Sequence, residues 1–327
     1  MTGKMRAVLV RQNGGPEVLE LTEIDTPEPK PGEVLVDVAA AGVNFVDTYQ
    51  REGRYPVPTP FVLGLEGAGT VRALGEGVRE FSVGDRVAWV QVQGSYAEQL
   101  AVHTASLVRV PDSVSDEAAA ALFLQGITAH YLTHSTYPVQ PGDWIVVHAA
   151  AGGVGLLLTQ IVKLLGGHVL ATASTPEKAE LAKSAGADDV TTYDAVVDRA
   201  RELTGGDGVA CVYDGVGRAT FDASTDALRT RGMMALYGAA SGPVPPVDPL
   251  QTLGGKGSLF LTRPMFGDYT RTQEELVGRA DDLLRWVGAG DLDVRIGARY
   301  PLAEARQAHE DLAGRRTTGK VLLLPRS

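Results

Sequence analysis

The sequence predicts an α/β protein in which a β-rich domain accompanies a doubly wound, mostly parallel sheet. Three observations predict this class. The chain has 327 residues, enough for two domains at roughly 100 to 200 residues each. Up to about residue 110, short half-apolar runs are broken by turn residues. From about residue 115 onward, apolar runs alternate with segments rich in helix formers.

The first part of the chain is predicted to consist of strands. Pro27–Gly32 and Tyr55–Pro60 separate some of them, because proline fixes φ and removes a donor from the strand ladder. The predicted strands are Ala7–Val10, Val34–Ala40, Gly67–Leu74, Arg86–Gln91, Tyr96–Val102 and Leu107–Val110. This part of the chain is therefore expected to form a β-rich domain.

A helix is predicted to begin at Ser115, and strands and helices alternate after it. The predicted strands are Asp143–His148, His168–Ala173, Val190–Tyr193, Val209–Asp214, Met233–Tyr237 and Ser258–Thr262. The predicted helices between them are Val154–Leu165, Pro176–Ala185, Ala195–Leu203 and Thr220–Leu228. Strands separated by helices imply βαβ units and a doubly wound parallel sheet.

The end of the chain is predicted to add helices and strands to the β-rich domain. A helix over Gln273–Val287 precedes a strand at Val294–Tyr300, a helix at Ala303–Ala313 and a last strand at Lys320–Leu324. Because the β-rich domain lacks a closing helical layer of its own, we expect this tail to return to it. The α/β domain would then be an insertion.

Composition excludes several classes of protein. Hydrophobic residues make up 44% and charged residues 21% of the chain, which is typical of a globular protein. A net charge of −10, without a run of basic residues, argues against nucleic acid as a partner. No apolar stretch reaches the roughly 18 to 20 residues of a membrane span, and no cleavage site follows the start, so we expect a cytoplasmic protein. A single cysteine, Cys211, allows neither an internal disulfide nor a cysteine-based zinc site.

The most informative motif is a glycine-rich turn after the predicted strand Asp143–His148. It contains Gly152, Gly153, Val154 and Gly155, and a helix is predicted to follow at once. Glycines let a backbone approach a pyrophosphate, and the first amides of a helix point toward such an anion. Such a turn can also be a simple tight corner. Here, however, a predicted strand precedes it and a predicted helix follows it, and dinucleotide binding requires this order. No Gly-Lys-Ser/Thr follows, which excludes a nucleotide-triphosphatase loop.

The end of the second predicted strand indicates which dinucleotide is bound. Sites that prefer NAD place a carboxylate there for the ribose hydroxyl. This chain instead has Ser174, with Lys178 four residues later, which suits a 2′-phosphate and favours NADPH. Tyr193, at the end of the third strand, lies against the same phosphate or adenine, or packs. The alternative for Lys178 is a solvated side chain in the first turn of a helix.

Five segments resemble one known family. They are Asn13–Leu19, Gly42–Tyr49, Ala149–Gly155, Tyr213–Gly217 and Gly257–Pro264. With them, the chain resembles the zinc-independent quinone oxidoreductases of the medium-chain dehydrogenase/reductase superfamily, the group that includes zeta-crystallin. The likeness extends from about residue 5 to the closing Thr318–Leu322.

The resemblance implies a domain organisation and an activity. It implies a GroES-like catalytic domain over residues 1–124 and 265–327, and a Rossmann NADPH-binding domain over residues 125–264. The implied activity is NADPH-dependent reduction of a quinone. The implied assembly is a homodimer through the edge of the Rossmann sheet, near Ser258–Thr262.

The resemblance also assigns roles to residues. It places Asn44 and Tyr49, the candidate catalytic residues, near the nicotinamide and the substrate. It implies that the cofactor contacts Thr128, Gly152, Gly153, Val154, Gly155, Ser174, Lys178, Tyr193, Gly238, Ser241, Arg263 and Lys320.

No metal site is expected. Zinc-dependent relatives carry a histidine ligand in a Gly-His-Glu motif, whereas this chain has Leu65 between Gly64 and Glu66. Its six histidines show no ligand spacing. Without a Lewis acid, the substrate should spread the arriving charge through a conjugated system, which favours a quinone. The alternatives are an enoyl or alkenal reductase, and a non-catalytic NADPH-binding structural or RNA-binding protein.

Several single residues have more than one interpretation. Tyr49 is an acid for the reaction or an aromatic wall of the pocket, and Glu66 holds a loop, pairs with an arginine or is catalytic. Arg263 reaches the cofactor or supports a dimer contact. His148 is expected to be a hydrogen-bonded core histidine, and Cys211 is expected to pack within a strand.

Overall fold

The computed structural model describes residues 3–326 and contains two compact units. The first unit comprises the residues up to Leu124, Ala280–Gly290 and the segment from Val294 onward. The second unit comprises Gln125–Arg279 and Asp291–Asp293, and so includes residues 265–279. Within residues 3–326, no helix combines the length and the apolar composition that a membrane span requires.

The regular elements are numbered along the chain. The strands are β1 (Lys4–Val10), β2 (Leu19–Asp25), β3 (Glu33–Val43), β4 (Phe61–Val62), β5 (Glu66–Leu74), β6 (Arg86–Val90), β7 (Gln99–His103), β8 (Leu107–Arg109), β9 (Trp144–Val147), β10 (His168–Thr172), β11 (Asp189–Thr191), β12 (Val209–Asp214), β13 (Leu228–Leu236), β14 (Phe260–Thr262), β15 (Ile296–Pro301) and β16 (Lys320–Leu324). The α-helices are α1 (Phe45–Arg51), α2 (Asp116–Tyr131), α3 (Gly153–Leu164), α4 (Pro176–Ser184), α5 (Val196–Leu203), α6 (Phe221–Asp226), α7 (Gln273–Ala289) and α8 (Ala305–Ala313).

The first unit is built on two sheets. The larger one has the order β15-β16-β3-β5-β6-β8, with β7 also paired to β3, and the smaller one has the order β2-β1-β4. Its core includes the fully buried side chains of Val36, Trp89 and Tyr96. Because β16 pairs with β3, the end of the chain completes the larger sheet, and the expected return of the tail is confirmed.

The second unit contains a six-stranded sheet of order β11-β10-β9-β12-β13-β14. Every pair in it is parallel. Counted from β9, this order is 3-2-1-4-5-6, which is the doubly wound order of the Rossmann fold. All six residues of β12 are buried, as expected of a parallel strand covered on both faces. The predicted fold class, a GroES-like domain with a Rossmann domain, is confirmed.

Four elements differ clearly from the sequence prediction. The short helix α1 and the strands β2 and β4 were not predicted, and β13 begins at Leu228 rather than Met233. Helix α1 has only seven residues, too few for a 3.6-residue hydrophobic period to emerge. Strand β2 has no fully buried residue, so its pattern lacks the alternation of a half-buried strand.

Candidate active site

The glycine-rich turn connects β9 to α3 in the second unit. Gly152 is the residue before the helix, and its N–H donates to the carbonyl of Ala149 at 2.9 Å. Gly153 and Val154 follow as the first two helical residues and are half-buried. Amides in the first turn of a helix have no partner within the helix and carry the positive end of its dipole. The turn therefore presents N–H groups suited to an anion.

Close packing at this turn requires Gly155. A Cβ at this position would lie 2.7 Å from the Cα of Ala150 and would also overlap the carbonyl of Ala149. Ala149 itself has φ of +52°, a left-handed conformation that non-glycine residues rarely adopt. The absent side chain at Gly155 thus lets helix α3 begin directly against the turn.

The turn also lies where the strand order of the sheet reverses. Strand β9 is flanked by β10 on one side and β12 on the other, and the chain proceeds outward from it in both directions. In open α/β sheets, ligands bind outside the carboxyl ends of the strands at this switch point. The glycine turn follows the carboxyl end of β9, so sheet topology and turn chemistry indicate the same nucleotide site.

The predicted partners of the 2′-phosphate lie along the same sheet edge. Thr172 of β10 is paired in register with Thr191 of β11. Ser174 and Tyr193 each lie two residues beyond this pair, so both follow the carboxyl ends of adjacent strands. Ser174 is exposed, and Tyr193 is half-buried.

Lys178 belongs to the first turn of α4. Its backbone N–H donates to Oγ1 of Thr175, the capping residue of that helix, at 3.3 Å. Its side chain is half-buried. A cation near the start of this helix, beside a hydroxyl at Ser174, is the arrangement that a 2′-phosphate requires.

Gly238 and Ser241 follow β13. A Cβ at Gly238 would overlap the backbone of Gly215, so only glycine fits there. The Ser241 hydroxyl donates to the carbonyl of Val216 at 2.8 Å and accepts the N–H of Ala219 at 2.9 Å. Ser241 thereby ties the loop after β13 to the loop after β12.

Thr128 and Arg263 complete the predicted cofactor residues of the second unit. Thr128 is a buried residue of helix α2. Arg263 is exposed just beyond β14, and its Nη1 donates to the carbonyl of Pro264 at 3.3 Å. The two readings of Arg263, cofactor contact or dimer contact, both remain predictions.

His148, immediately after β9, is a buried residue with a hydrogen bond at each ring nitrogen. Nδ1 lies 2.9 Å from the Thr172 hydroxyl, and Nε2 lies 3.0 Å from the Ser224 hydroxyl. Ser224 donates its own hydrogen to Asp214 at 2.7 Å, so Nε2 carries the imidazole proton. Burial lowers the pKa of His148, which Asp214 partly opposes. The expected core histidine is confirmed, and so is the packing of Cys211, which is fully buried within β12.

In the first unit, three polar side chains form a buried group that we call the Lys320 cluster: Asn44, Glu66 and Lys320. Their exposed fractions are 2%, 0% and 2%. The Lys320 ammonium donates to Oδ1 of Asn44 at 2.7 Å and pairs with Glu66 at 2.5 Å. The Asn44 amide nitrogen donates to Glu66 at 3.1 Å. The predicted contact between Lys320 and the cofactor stays a prediction, because this ammonium is bound within the protein.

Both carboxylate oxygens of Glu66 accept hydrogen bonds. One of them accepts the backbone N–H of Leu124 in helix α2 at 2.6 Å. Burial lowers the pKa of Lys320, and the carboxylate of Glu66 opposes this effect. Of the readings that the sequence left open for Glu66, the structure shows an ion pair, made with a lysine rather than an arginine.

A second buried chain of hydrogen bonds fixes helix α1, which carries Tyr49. The Asp47 carboxylate accepts the N–H of Asn44 at 2.8 Å and the hydroxyl of Tyr96 at 2.9 Å. The Tyr96 hydroxyl also lies 3.1 Å from Nε2 of His309, and Nδ1 of His309 lies 3.1 Å from Nη1 of Arg51. Both ends of α1 are thus attached to residues far away in the sequence.

The direction of this chain is determined by its arginine. Arg51 can only donate, so Nδ1 of His309 accepts and Nε2 carries the proton. That proton points to the Tyr96 oxygen, whose hydrogen goes to Asp47. Burial, and secondarily the charge of Arg51, lowers the pKa of His309 to about 3. Burial raises the pKa of Asp47 to about 7, against the lowering effect of the hydrogen bonds from Asn44 and Tyr96. The other oxygen of this carboxyl group has no hydrogen-bond partner.

Tyr49 is half-buried, and its ring contacts Arg54 and Tyr55. The Arg54 guanidinium lies 4.3 Å from the ring centroid, and the Tyr55 ring meets it edge-on at 5.5 Å. Tyr55 is 38% exposed, so this aromatic group faces solvent on one side. The arrangement offers a flat surface on which a planar conjugated molecule can stack.

The structure also bears on metal binding. Among residues 3–326, no group of three or more His, Cys, Asp or Glu side chains is placed to hold a metal ion. Leu65, at the position of the zinc-ligating histidine of zinc-dependent relatives, is buried and apolar. A leucine side chain has no nitrogen, oxygen or sulfur atom that could donate an electron pair to a metal.

The two units correspond to two known domain families. Residues 30–112 match the alcohol dehydrogenase GroES-like domain, and residues 153–278 match the zinc-binding dehydrogenase domain. Together with the nucleotide-binding turn, these matches define a dehydrogenase or reductase that uses a pyridine nucleotide.

Similar proteins narrow this class. A quinone oxidoreductase of Pseudomonas aeruginosa is 46% identical over 316 residues, covering 95% of this chain and 97% of that protein. An Escherichia coli quinone oxidoreductase solved in complex with NADPH has a TM-score of 0.94 and 41% identity, covering 98% of this chain and 100% of that one. A 2-haloacrylate reductase of Burkholderia is 39% identical, covering 98% of this chain and 99% of that protein. The chain belongs to the quinone oxidoreductase family.

Sequence reasoning missed the residues that position helix α1. Nothing in the sequence links Tyr96 or His309 to Asp47, because the contacts depend on the packing of three distant elements. Asp47 lies three residues after Asn44, and this spacing of a helix-capping pair is the one local signal that was available.

Proposed function

We propose that the protein is an NADPH-dependent quinone reductase that works without a metal. The observation that carries this proposal is the sheet edge of the second unit. There, a glycine turn at the switch point lies beside a strand that is followed by Ser174 rather than by a carboxylate. A relative that is named a quinone oxidoreductase and was solved with NADPH supports the choice of cofactor and acceptor.

The residues of the second unit fit this cofactor. The amides of Gly153 and Val154 receive the pyrophosphate, and Gly155 leaves space for helix α3 behind them. Ser174 and Lys178 receive the 2′-phosphate, with Tyr193 beside the adenosine. When bound, the reduced nicotinamide supplies the hydride.

On the acceptor side, we propose that Asn44 and Tyr49 line the substrate site. Asn44 offers an amide N–H to a quinone oxygen, whose negative charge grows as the hydride arrives. Tyr49, with Tyr55 and Arg54 around its ring, forms an aromatic wall against which a quinone lies flat. This environment favours the wall over the obligatory acid, and the proton that completes the hydroquinone then comes from solvent.

A metal is not needed for this chemistry. Hydride transfer to an isolated carbonyl concentrates charge on one oxygen, which a Lewis acid normally stabilises. A quinone spreads the same charge over its ring and second oxygen, so that positioned hydrogen bonds suffice. Leu65, which stands where zinc-dependent relatives carry a histidine ligand, has no atom that could bind a metal, and this supports the proposal.

Steady-state kinetics test the proposal. Purified protein is assayed with NADPH and 1,4-benzoquinone, 9,10-phenanthrenequinone or a 2-alkenal. We expect the highest kcat/KM with a quinone and a strong preference for NADPH over NADH. If neither quinone oxidises NADPH, the proposed activity is refuted.

A second candidate is the reduction of an alkene conjugated to a carbonyl. The similarity to a 2-haloacrylate reductase over nearly the whole chain favours it. Quinones and such alkenes are both electron-poor conjugated acceptors, so one site can suit either. A kcat/KM for the 2-alkenal or for 2-chloroacrylate well above that for the quinones would select this activity.

We also propose a homodimer that forms through the free edge of the second sheet. Strand β14 is the outer strand, and Phe260 on it is 56% exposed. Leu250 and Met265, which come before and after this strand in the sequence, are 79% and 46% exposed, so exposed apolar side chains flank β14 in the chain. An unpaired strand edge with apolar side chains is suited to pairing with a second copy.

Analytical ultracentrifugation tests this assembly. Phe260→Lys should shift the protein from dimer to monomer, because it places a charge in the contact. Val83→Lys is the matched control, since Val83 is 64% exposed in the first unit. A native protein that sediments as a monomer would refute the dimer.

We further propose a cytoplasmic location, which the composition supports.

A further inference from the structure

The register of three strands brings the Lys320 cluster together. Strands β16 and β3 are antiparallel, with Val321 opposite Val43, so Lys320 and Asn44 extend this ladder by one position. Strands β3 and β5 are also antiparallel, with Gly67 opposite Ala41, so Glu66 lies at the same end of β3 as Asn44. Each member of the cluster is thus fixed by the main sheet of the first unit.

The backbone leaves space for this cluster at Gly42. A Cβ at Gly42 would overlap the carboxylate of Glu66 and would lie 2.7 Å from Cε of Lys320 and 2.8 Å from the carbonyl of Ala120. Gly42 adopts ordinary extended backbone geometry within β3, so conformational freedom is not the reason for glycine. The position is occupied by glycine because the ion pair fills the volume of a side chain.

Stability alone does not account for the pair. Removing two charges from water costs free energy that their attraction in the interior barely recovers, and apolar replacements of buried ion pairs are often as stable. The ammonium, however, does more than neutralise Glu66. It also donates to Oδ1 of Asn44, the residue proposed to contact the acceptor.

We infer that Lys320 is a positioning residue that fixes which edge of the Asn44 amide can donate a hydrogen bond to the acceptor. This inference rests on the proposed function. With Oδ1 held by the ammonium and Nδ2 held by Glu66, a 180° flip of the amide would place its oxygen against a carboxylate and its nitrogen against a cation. Lys320 and Glu66 together exclude that flip.

Both hydrogens of the amide have partners in this orientation. Nδ2 donates one to Glu66 at 3.1 Å and the other, in the longer of the two bonds, to the carbonyl of Gly42 at 3.3 Å. In the proposed complex, an acceptor oxygen takes the second hydrogen in place of the Gly42 carbonyl. The interaction strengthens as negative charge develops on that oxygen, so it contributes more to the transition state than to substrate binding.

The test removes the ion pair as a unit, so that no lone charge stays buried. The variant is Lys320→Met with Glu66→Gln, compared with Asn44→Leu and with the triple variant that combines all three changes. Lys163→Met is the control, because it removes a lysine whose partner is Asp188 in the second unit. Thermal unfolding and NADPH titration accompany the kinetics of quinone reduction.

We expect the double variant to bind NADPH within about twofold of the native protein and to lose about 10- to 1,000-fold in kcat/KM for the quinone, which is the effect of losing one aligned donor. The triple variant should match Asn44→Leu, because Lys320 acts through Asn44. Lys163→Met should keep the native kcat/KM.

Three results would overturn the inference. They are a native kcat/KM in the folded double variant, a further loss when the pair is removed from the Asn44→Leu background, and a loss confined to NADPH affinity. The last result would make Lys320 a cofactor ligand instead. If the double variant does not fold, Lys320→Gln with Glu66→Gln serves in its place, since the amide at position 320 still donates to Oδ1 and this variant should retain more activity than Asn44→Leu. If the native protein reduces no acceptor, the proposed function itself fails.

Discussion

The buried pair of Asp47 and His309 leads to an unusual dependence of stability on pH. Burial raises the pKa of Asp47 from its ordinary 3.8 to about 7, so its stabilising contribution is complete below pH 3.8 and is lost as the pH rises through 7. Burial lowers the pKa of His309 from 6.5 to about 3, so its contribution is complete above pH 6.5 and is lost as the pH falls through 3.

Between about pH 4 and 6.5 the two effects cancel. In this window the folded protein holds one proton on Asp47, and the unfolded chain holds one on the histidine. Each state binds the same number of protons, so this pair adds no slope to the free energy of unfolding. When either residue is replaced, the effect of the other is no longer cancelled. The free energy of unfolding then changes by about 1.4 kcal/mol per pH unit, or roughly 3 kcal/mol over the window.

The two single variants therefore have opposite predicted effects. Relative to the native protein, Asp47→Asn should lose about 3 kcal/mol of stability as the pH falls from 6.5 to 4. In this variant His309 takes up a proton only in the unfolded chain, and Asp47 no longer offsets that uptake. His309→Gln should gain about 3 kcal/mol over the same change. A glutamine amide keeps one acceptor for Arg51 and one donor for Tyr96.

Urea unfolding at several pH values measures these slopes. Trp89 is fully buried in the core of the first unit, and its fluorescence reports this unit when Trp144 and Trp286 are replaced by Phe. His103→Gln, at an exposed histidine, is the control and should follow the native profile. Parallel profiles for the two test variants would refute the assignment of opposed pKa shifts.

Three further predictions concern the cofactor and acceptor sites. Gly155→Ala should weaken NADPH binding at least tenfold by fluorescence titration, because its Cβ overlaps the turn, whereas Gly278→Ala, with nothing within 4 Å of the new Cβ, should bind normally. Lys178→Ala should lose roughly 10- to 150-fold in NADPH affinity with little change for NADH, and equal losses would exclude a phosphate contact. Tyr49→Phe should keep kcat within about threefold if the ring is a wall, whereas a loss of about 100-fold or more would make its hydroxyl the acid.

The second unit was predictable from sequence because its elements are local. Each of the strands β9 to β12 is followed by a helix, and both kinds of element leave apolar patterns that a short window can detect. The glycine turn is equally local, since Gly152 to Gly155 and the flanking strand and helix form one continuous stretch. That the strand near Ser258–Thr262 forms the edge of the sheet came from the family resemblance.

The first unit was less predictable because its contacts are long-range. Lys320 meets Asn44 across 276 positions, and Tyr96 meets His309 across 213 positions. Neither contact leaves a spacing in the sequence, since both depend on which antiparallel strands pair and in what register. The sequence thus identified Asn44 and Tyr49 through a family resemblance, while the residues that hold them required the structure.

The most direct test of this account compares the initial rate of 1,4-benzoquinone reduction with NADPH and with NADH, before and after dialysis against a metal chelator. From these initial rates we predict a kcat/KM at least tenfold higher with NADPH than with NADH. The rate with NADPH should be the same before and after dialysis. Equal rates with both nucleotides would contradict the assigned roles of Ser174 and Lys178. A loss of activity on dialysis that added zinc restores would contradict a metal-independent reaction.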